Sequence, residues 1–293
     1  MHIVLIPTQG FCNRLRALAS AYILSKYLNS KFYLIWKPEE CCNIKYDDIF
    51  NNKFETIDIN ELNKYNYFFN PNIHTNVILS DKNVYNNDYL VIQGGHEFKH
   101  ENMSMFDFLE KKRNFYKSLK FTNSINNIVN GYLINPGTIG IHFRDYIKKY
   151  DEADGRIFNE ESPIELFIIK MKNIMNKHPH YSFFVSTNSN EILDKLNNLF
   201  PNKITSMKNV SSERNDYTSM INAIANVVLL SKCQFIIGTY MSSFSDEACF
   251  FNMIPKLCIS IKSNENNYHC YGYNEIFGEK MLLPSFNILR ICN

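Results

Sequence analysis

Several signatures that would settle a protein's class at once are missing from this chain. Its eight cysteines, at 12, 41, 42, 233, 249, 258, 270 and 292, include no CxxC pair. Neither a paired-thiolate zinc site nor a thioredoxin-like redox centre is therefore expected. Adjacent cysteines such as Cys41 and Cys42 rarely bridge each other, and several others lie in apolar stretches, a pattern of buried free thiols in a reducing compartment. No apolar run approaches the roughly 20 residues of a membrane span. The apolar run Ile3 to Ile6 has no basic segment before it and is too short for a secretory leader, so a cytoplasmic protein with no membrane span is expected. A formal net charge of +2 with no basic patch argues against a nucleic-acid partner held by counterion release. The phosphate loop G-x-x-x-x-G-K-[ST] is also absent, which counts against a kinase-like or sulfotransferase chemistry.

What is present is an ordinary globular composition, 45% hydrophobic and 20% charged, over a length of 293 residues that allows one large or two modest domains. The 23 Phe and 18 Tyr read mainly as packing residues, since aromatic side chains bury much area for little rotamer entropy. The chain opens as strand, turn-rich loop and helix: Ile3 to Ile6, then Pro7 to Asn13 with Gly10, then Leu15, Leu18, Ala19, Tyr22, Ile23 and Leu28 at helical spacing. Lys31 to Trp36 returns to strand character. Cys41 to Asp88 is polar and aromatic with short apolar pieces, Phe54 to Ile59 and Val77 to Leu79 among them. A strand at Tyr89 to Ile92 leads into Gln93-Gly94-Gly95-His96-Glu97, and Met105 to Asn130 is helical in pattern.

Asn135-Pro136-Gly137 marks a turn, which places a domain boundary so that 1–133 and 134–293 form separate α/β units. Beyond it strands and helices alternate. Strands are expected at Thr138 to Phe143, Tyr181 to Val185, Ile204 to Met207, Phe235 to Ile237 and Lys256 to Ile261. Helices are expected from Ser162-Pro163 to Lys177, with proline at the first helical position, and over Asn190 to Phe200, Tyr217 to Ser231 and Ser243 to Phe251. This is a Rossmann-like progression, in which ligands sit beyond the carboxyl ends of the strands. The Tyr- and Asn-rich C-terminal stretch is expected to cross back to the first domain.

Three strand ends carry polar groups at that edge. The first holds His142, Arg144 and Asp145, the second Ser186, Thr187 and Asn188, and the third Gly238, Thr239, Ser242 and Ser243. Strand alternation puts His142 and Arg144 on one side. A guanidinium suits a diphosphate because its rigid fork donates two charge-assisted bonds and stays charged. Arg144 in a structural salt bridge is the competing reading. His142 likewise could hold a base or ribose, move a proton, or simply satisfy a backbone carbonyl. Ser242 and Ser243 fit both a helix N-cap and a phosphate site, because free helix N–H groups serve either partner. Gly10 and Asn13 shape the first loop, where Arg14 and Arg16 either stand solvated or add positive potential to a cleft.

These segments, in order, resemble the fucosyltransferase superfamily of GT-B-like enzymes, which includes α1,2-, α1,6- and protein O-fucosyltransferases. Gly10-Phe11-Cys12-Asn13-Arg14-Leu15 is similar to the α1,2 family's Gly-Leu-Gly-Asn-Gln-Leu, and Gly94-Gly95-His96-Glu97 falls at its acceptor-side loop. Ile141-His142-Phe143-Arg144-Asp145-Tyr146 resembles the donor motif His-x-Arg-Arg-Gly-Asp-Tyr. Val185-Ser186-Thr187-Asn188 and Thr239-Tyr240-Met241-Ser242-Ser243-Phe244-Ser245 resemble two later strand ends.

The resemblance implies a GT-B-like α/β fold of two Rossmann-like domains facing each other across a cleft, the first on the acceptor side and the second on the donor side. It implies an inverting transfer of fucose from GDP-fucose to a glycan hydroxyl. Arg144 would meet the β-phosphate, His142 the nucleotide, and Ser242 and Ser243 the phosphate site, with Asn13, Arg14, Thr187, Asn188, Asn226 and Thr239 as further binding residues. Asn226 lies about where α1,6 enzymes use an Asp toward guanine. The motif's second Arg and its Gly are absent, so Asp145 follows Arg144 directly. No acidic DxD stands at a suitable strand end, so no divalent metal is expected, and the acidic run Asp151 to Asp154 reads as a solvated loop. Asp145 and Glu97 are both candidates for the general base. A nucleotide-sugar-binding module without transfer activity, or a transferase using another nucleotide sugar, remains the alternative.

Overall fold

The computed structural model describes residues 1–71, 77–78, 86–147, 158–208, 211, 213–261, 269–270, 273–276, 279–282 and 285–286. The acidic run at 151–154, Leu79 and most of the C-terminal stretch lie outside these residues. The described chain forms two compact units, Met1–Asn123 and Ser124–Asn287.

The first unit is built on a parallel sheet in the order β2-β1-β5-β3. Its strands are β1 (His2–Pro7), β2 (Phe32–Leu34), β3 (Tyr67–Pro71) and β5 (Tyr89–Gly94), while β4 (Val77–Ile78) pairs separately with β6 (Lys99–His100). Helix α1 (Phe11–Tyr27) follows β1 and buries Leu15, Leu18, Ala19 and Leu24. A short α2 (Tyr46–Ile49) and a 3-10 turn at Ile59–Lys64 interrupt the polar middle stretch. The expected helix over 105–130 is two helices, α3 (Met105–Ser118) and α4 (Asn123–Asn130). Between them Phe121 bridges back to Phe50, a tertiary pairing that ends α3 where local pattern would continue it.

The second unit carries a seven-stranded sheet, β13-β14-β11-β10-β7-β8-β9. Its parallel part comprises β7 (Thr138–Phe143), β8 (Ser182–Thr187), β9 (Ile204–Ser206), β10 (Ile236–Thr239) and β11 (Lys256–Ile259). Two strands, β13 (Tyr273–Ile276) and β14 (Glu279–Leu282), extend it antiparallel, and β12 (His269–Cys270) pairs separately with β15 (Ser285–Phe286). A short helix α5 (Phe158–Glu161) precedes α6 (Ile164–Lys177), and α7 (Asn190–Leu199), α8 (Tyr217–Ser231) and α9 (Ser243–Asn252) follow. Pro163 is the N-cap of α6 and not its first residue. All six residues of β7 are buried, as expected for a parallel strand covered on both faces. Ile139, Ile141 and Phe143 of β7 pack with Phe167, Met171, Phe183 and Val185 in one apolar core.

Taken in chain order, the five parallel strands lie fifth, fourth, first, second, third. This is the doubly wound arrangement, and its direction reverses between β7 and β10. A ligand crevice is expected beyond the carboxyl ends of those two strands, where Arg144 follows β7 and Tyr240 follows β10.

Candidate functional site

Neutral side chains stitch the carboxyl edge of the second sheet together. The Thr239 hydroxyl donates to the His142 carbonyl (3.1 Å) and accepts from the Arg144 backbone N–H (2.9 Å), so it locks β10 to β7 at the point of reversal. Asn188 holds the next residue from both sides, accepting from the Asp145 N–H (2.8 Å) and donating to the Asp145 carbonyl (3.0 Å). The buried Ser162 hydroxyl donates to the Ile259 carbonyl (2.6 Å) and accepts from Tyr240 N–H (3.0 Å). Thr239 and Asn188, expected among the nucleotide contacts, thus spend these polar groups on positioning Arg144 and Asp145. Thr187 uses its hydroxyl similarly, accepting from the Ser189 N–H.

Strand β10 runs through Gly238 and Thr239, beyond the expected end at Ile237, and β8 includes Ser186 and Thr187. Gly238 belongs inside the strand because of what passes over it. A Cβ there would lie 2.7 Å from Ser245 Oγ and 2.9 Å from Lys256 Cε. Lys256 is buried and paired with the buried Asp246 of α9, which holds its ammonium charged and pushes its pKa up against the cost of burial. The turn into α9 places Met241 at φ 56°, a left-handed conformation that costs a side-chain-bearing residue free energy and tends to persist at functional sites.

Beyond this edge lies an open cavity of about 900 Å³, counting the solvent at its mouth. His142, Arg144, Thr187, Asn188 and Asn226 all line it. His142 is buried and stacks on Phe244 of α9, with ring centroids 4.8 Å apart and planes 16° apart. Burial, with Lys256 and Arg144 nearby, holds its pKa well below the usual 6.5, so the imidazole is neutral at neutral pH. Arg144 is half-buried in the wall.

Two buried polar atoms of lining residues, His142 Nδ1 and Asn226 Oδ1, and also Ser242 Oγ at the start of α9, outside the lining, have no hydrogen-bond partner among the described residues. Such atoms are costly unless a ligand or water meets them. The Asn226 amide is oriented by its Nδ2, which donates to the Asn222 carbonyl (3.1 Å) and leaves the oxygen as its unused pole. Ser242 is the N-cap of α9, yet its side chain makes no capping bond. Ser243 opens that helix, and Asp145 accepts from Tyr146 N–H through Oδ1. Phe244, Met207, Glu213 and Arg214 also stand in the wall, though the sequence did not mark them as site residues. The last two stand in the loop before α8, where a charged pair just ahead of the Asp216 N-cap was the available signal.

Asn13, Arg14 and Glu97 belong to the first unit. Arg14 is fully buried, not solvated. It donates to the carbonyls of Gln9 (2.8 Å) and Lys37 (2.6 Å), pairs with Glu39 (2.7 Å) and lies 5.2 Å over the Trp36 ring. These contacts hold the loop in which Gln9 takes φ 68°. Arg16, for which the sequence left a solvated or a cleft-facing place open, is also buried. Asn13 donates to Gln9 Oε1 (2.7 Å). Gly95 packs so tightly on this loop that a Cβ would lie 2.7 Å from the Thr8 carbonyl oxygen, so the Gly10 and Gly95 loops are one structure. Glu97 is buried and paired with Lys112 of α3 at 2.5 Å, the geometry of an internal ion pair and not of an accessible base.

Among the described residues no group of three or more His, Cys, Asp or Glu is arranged to hold a metal ion, and no helix is long and apolar enough to cross a membrane. No family model matches the chain, and neither does any curated protein sequence. Solved structures do match its fold. The fucosyltransferase NodZ from Bradyrhizobium is 15% identical with a TM-score of 0.58 over 87% of this chain and 94% of that one. A variant of Arabidopsis thaliana FUT1 in complex with GDP is 12% identical, with a TM-score of 0.62 over 88% and 70%. POFUT1 in complex with GDP-fucose is 10% identical, with a TM-score of 0.54 over 88% and 97%. The chain therefore has the two-domain GT-B-like α/β fold seen in these fucosyltransferases.

Proposed function

We propose that the protein is an inverting glycosyltransferase that moves fucose from GDP-fucose to a glycan hydroxyl without a divalent metal. One observation carries the reading. The point where the strand order reverses presents a neutral buried histidine, a half-buried arginine and a ten-residue helix N-terminus, with polar atoms left unpartnered beside an open cavity. A nucleoside diphosphate is the ligand class that uses all three. Arg144 and the first N–H groups of α9 take the phosphates, Ser242 Oγ donates to a phosphate oxygen, and Asn226 Oδ1 accepts from a base N–H. The amide oxygen cannot match a carboxylate's pair of acceptors, so base selectivity is weaker than diphosphate binding. The solved structures of like fold that hold GDP or GDP-fucose support the same choice of ligand.

In the reaction the acceptor hydroxyl oxygen forms a bond to the anomeric carbon as the bond from that carbon to the β-phosphate oxygen breaks, and GDP leaves with the electron pair. Arg144 and the helix N-terminus stabilise the charge growing on the leaving phosphate, the duty a metal ion would otherwise have. The hydroxyl proton goes to a carboxylate. Asp145 suits this better than Glu97, whose charge is already held by Lys112. Free cysteines, four of the six described being buried, support work in a reducing compartment such as the cytoplasm.

The test is turnover of GDP-fucose in the presence of a metal chelator with a panel of glycan acceptors, following both GDP release and labelled product. Transfer that survives chelation supports the proposal. GDP-fucose binding with neither transfer nor hydrolysis would favour a nucleotide-sugar-binding module instead.

A further inference from the structure

The donor-side strand end carries a single arginine, because Asp145 follows Arg144 directly. A diphosphate in a nucleotide sugar brings two negative charges. One guanidinium and one helix N-terminus, the latter equivalent to about half a positive charge, leave part of that charge uncompensated in a partly buried site. The cavity wall contains a second guanidinium from a different element, Arg214, half-buried in the loop between β9 and α8. The described residues 211 and 213–216 of that loop are tied down locally. Ser211 Oγ accepts from the Glu213 N–H (3.2 Å) and bonds to Ser219 Oγ (3.0 Å), and Asp216 accepts from the Ser219 N–H (2.7 Å). Ser211 and Ser219 line the same wall, so the segment bearing Arg214 is fixed against the helix that also presents Asn226.

We propose that Arg214 is the second phosphate-binding cation of this site, contributed from the β9–α8 loop in place of an arginine adjacent to Arg144. The proposal rests on the reading of the cavity as a nucleotide-sugar site. Arg144 then holds the diphosphate from the strand ends and Arg214 from the β9–α8 loop, so the anion is gripped by two elements instead of one. Glu213 stands beside Arg214 in the wall, and the loop presents both signs of charge, the phosphate meeting its guanidinium. Arginine suits this duty because its reach and planar fork allow two simultaneous bonds to phosphate oxygens.

The experiment is calorimetric titration of guanosine, GMP and GDP, with a chelator present, into the wild-type chain and its Arg214→Ala and Arg214→Lys variants, each checked for fold by circular dichroism. Arg214→Ala is expected to weaken GDP about ten- to a hundredfold while leaving guanosine unchanged. Arg214→Lys should fall between, and the wild-type advantage of GDP over guanosine should shrink as salt rises. GDP affinity unaltered by Arg214→Ala, or an equal loss for guanosine, would overturn the assignment, the second result placing Arg214 on the nucleoside. A wild-type chain that binds none of the three would instead remove the nucleotide reading itself, and this proposal with it.

Discussion

His142 shows how one residue's burial becomes a measurable property of the protein. Its folded pKa is depressed below the ordinary 6.5, so the unfolded chain binds a proton that the folded chain refuses. The native state therefore has this contribution in full above about pH 6.5 and loses it as pH falls toward the depressed folded value. Lys256 and Arg144, the charged groups bearing on the ring, both act in the same direction as burial. Thermal melts from pH 7.5 to 5 should show the wild type losing more stability than His142→Gln, and parallel losses would mean that the imidazole is not held neutral. At the same strand end, Arg144→Lys should fold normally yet lower kcat about 100- to 1000-fold with GDP-fucose. A falling melting temperature with kcat intact per folded molecule would make Arg144 a structural residue. That His142 and Arg144 line the cavity was legible in the sequence because they close an apolar parallel strand, at whose carboxyl end ligands of such sheets sit. Arg214 was not, since a loop has no periodicity to say which way its side chains face.

At the scale of elements, helix α9 separates stability from binding. Ser242 is its N-cap but its hydroxyl makes no hydrogen bond among the described residues, so Ser242→Ala is expected to remove little that the folded state uses. Its melting temperature should match or exceed that of the wild type while GDP affinity drops about three- to tenfold. A destabilised variant with unchanged affinity would show the hydroxyl to be an ordinary cap. Strand β10 makes the complementary case. Gly238→Ala forces a methyl toward Ser245 Oγ and Lys256 Cε, both buried, and should cost about 1–3 kcal/mol in urea unfolding, partly recovered when Ser245→Gly is added. Additive losses would show that Ser245 is not what the methyl meets. The bounds of α8 were readable because Asp216 caps an uninterrupted apolar pattern. Those of β10 were not, because Gly238 and Thr239 look like loop residues until the side chains crossing them are seen. The polar middle stretch hid β3 for another reason: Tyr67, Phe68 and Phe69 are all partly exposed on an edge strand and show no alternation.

For the molecule as a whole, alternation of strands and helices announced two α/β units, but the order of strands within each sheet had to come from the structure. Parallel neighbours are set by how each crossover packs, and no local signal records that choice. The order found here matters because it puts the reversal between β7 and β10, next to the residues that the sequence had already marked. The central claim is that a nucleoside diphosphate binds at this reversal in the second unit. Hydrogen–deuterium exchange of the intact chain with and without saturating GDP tests it most directly. Protection is expected at the ends of β7 and β8, residues 142–146 and 186–188, and at the turn and first residues of α9 at 240–246, with further protection around Arg214 and Asn226 where these hold the phosphate and the base. Unchanged exchange in all three segments under conditions where GDP binds would contradict the account.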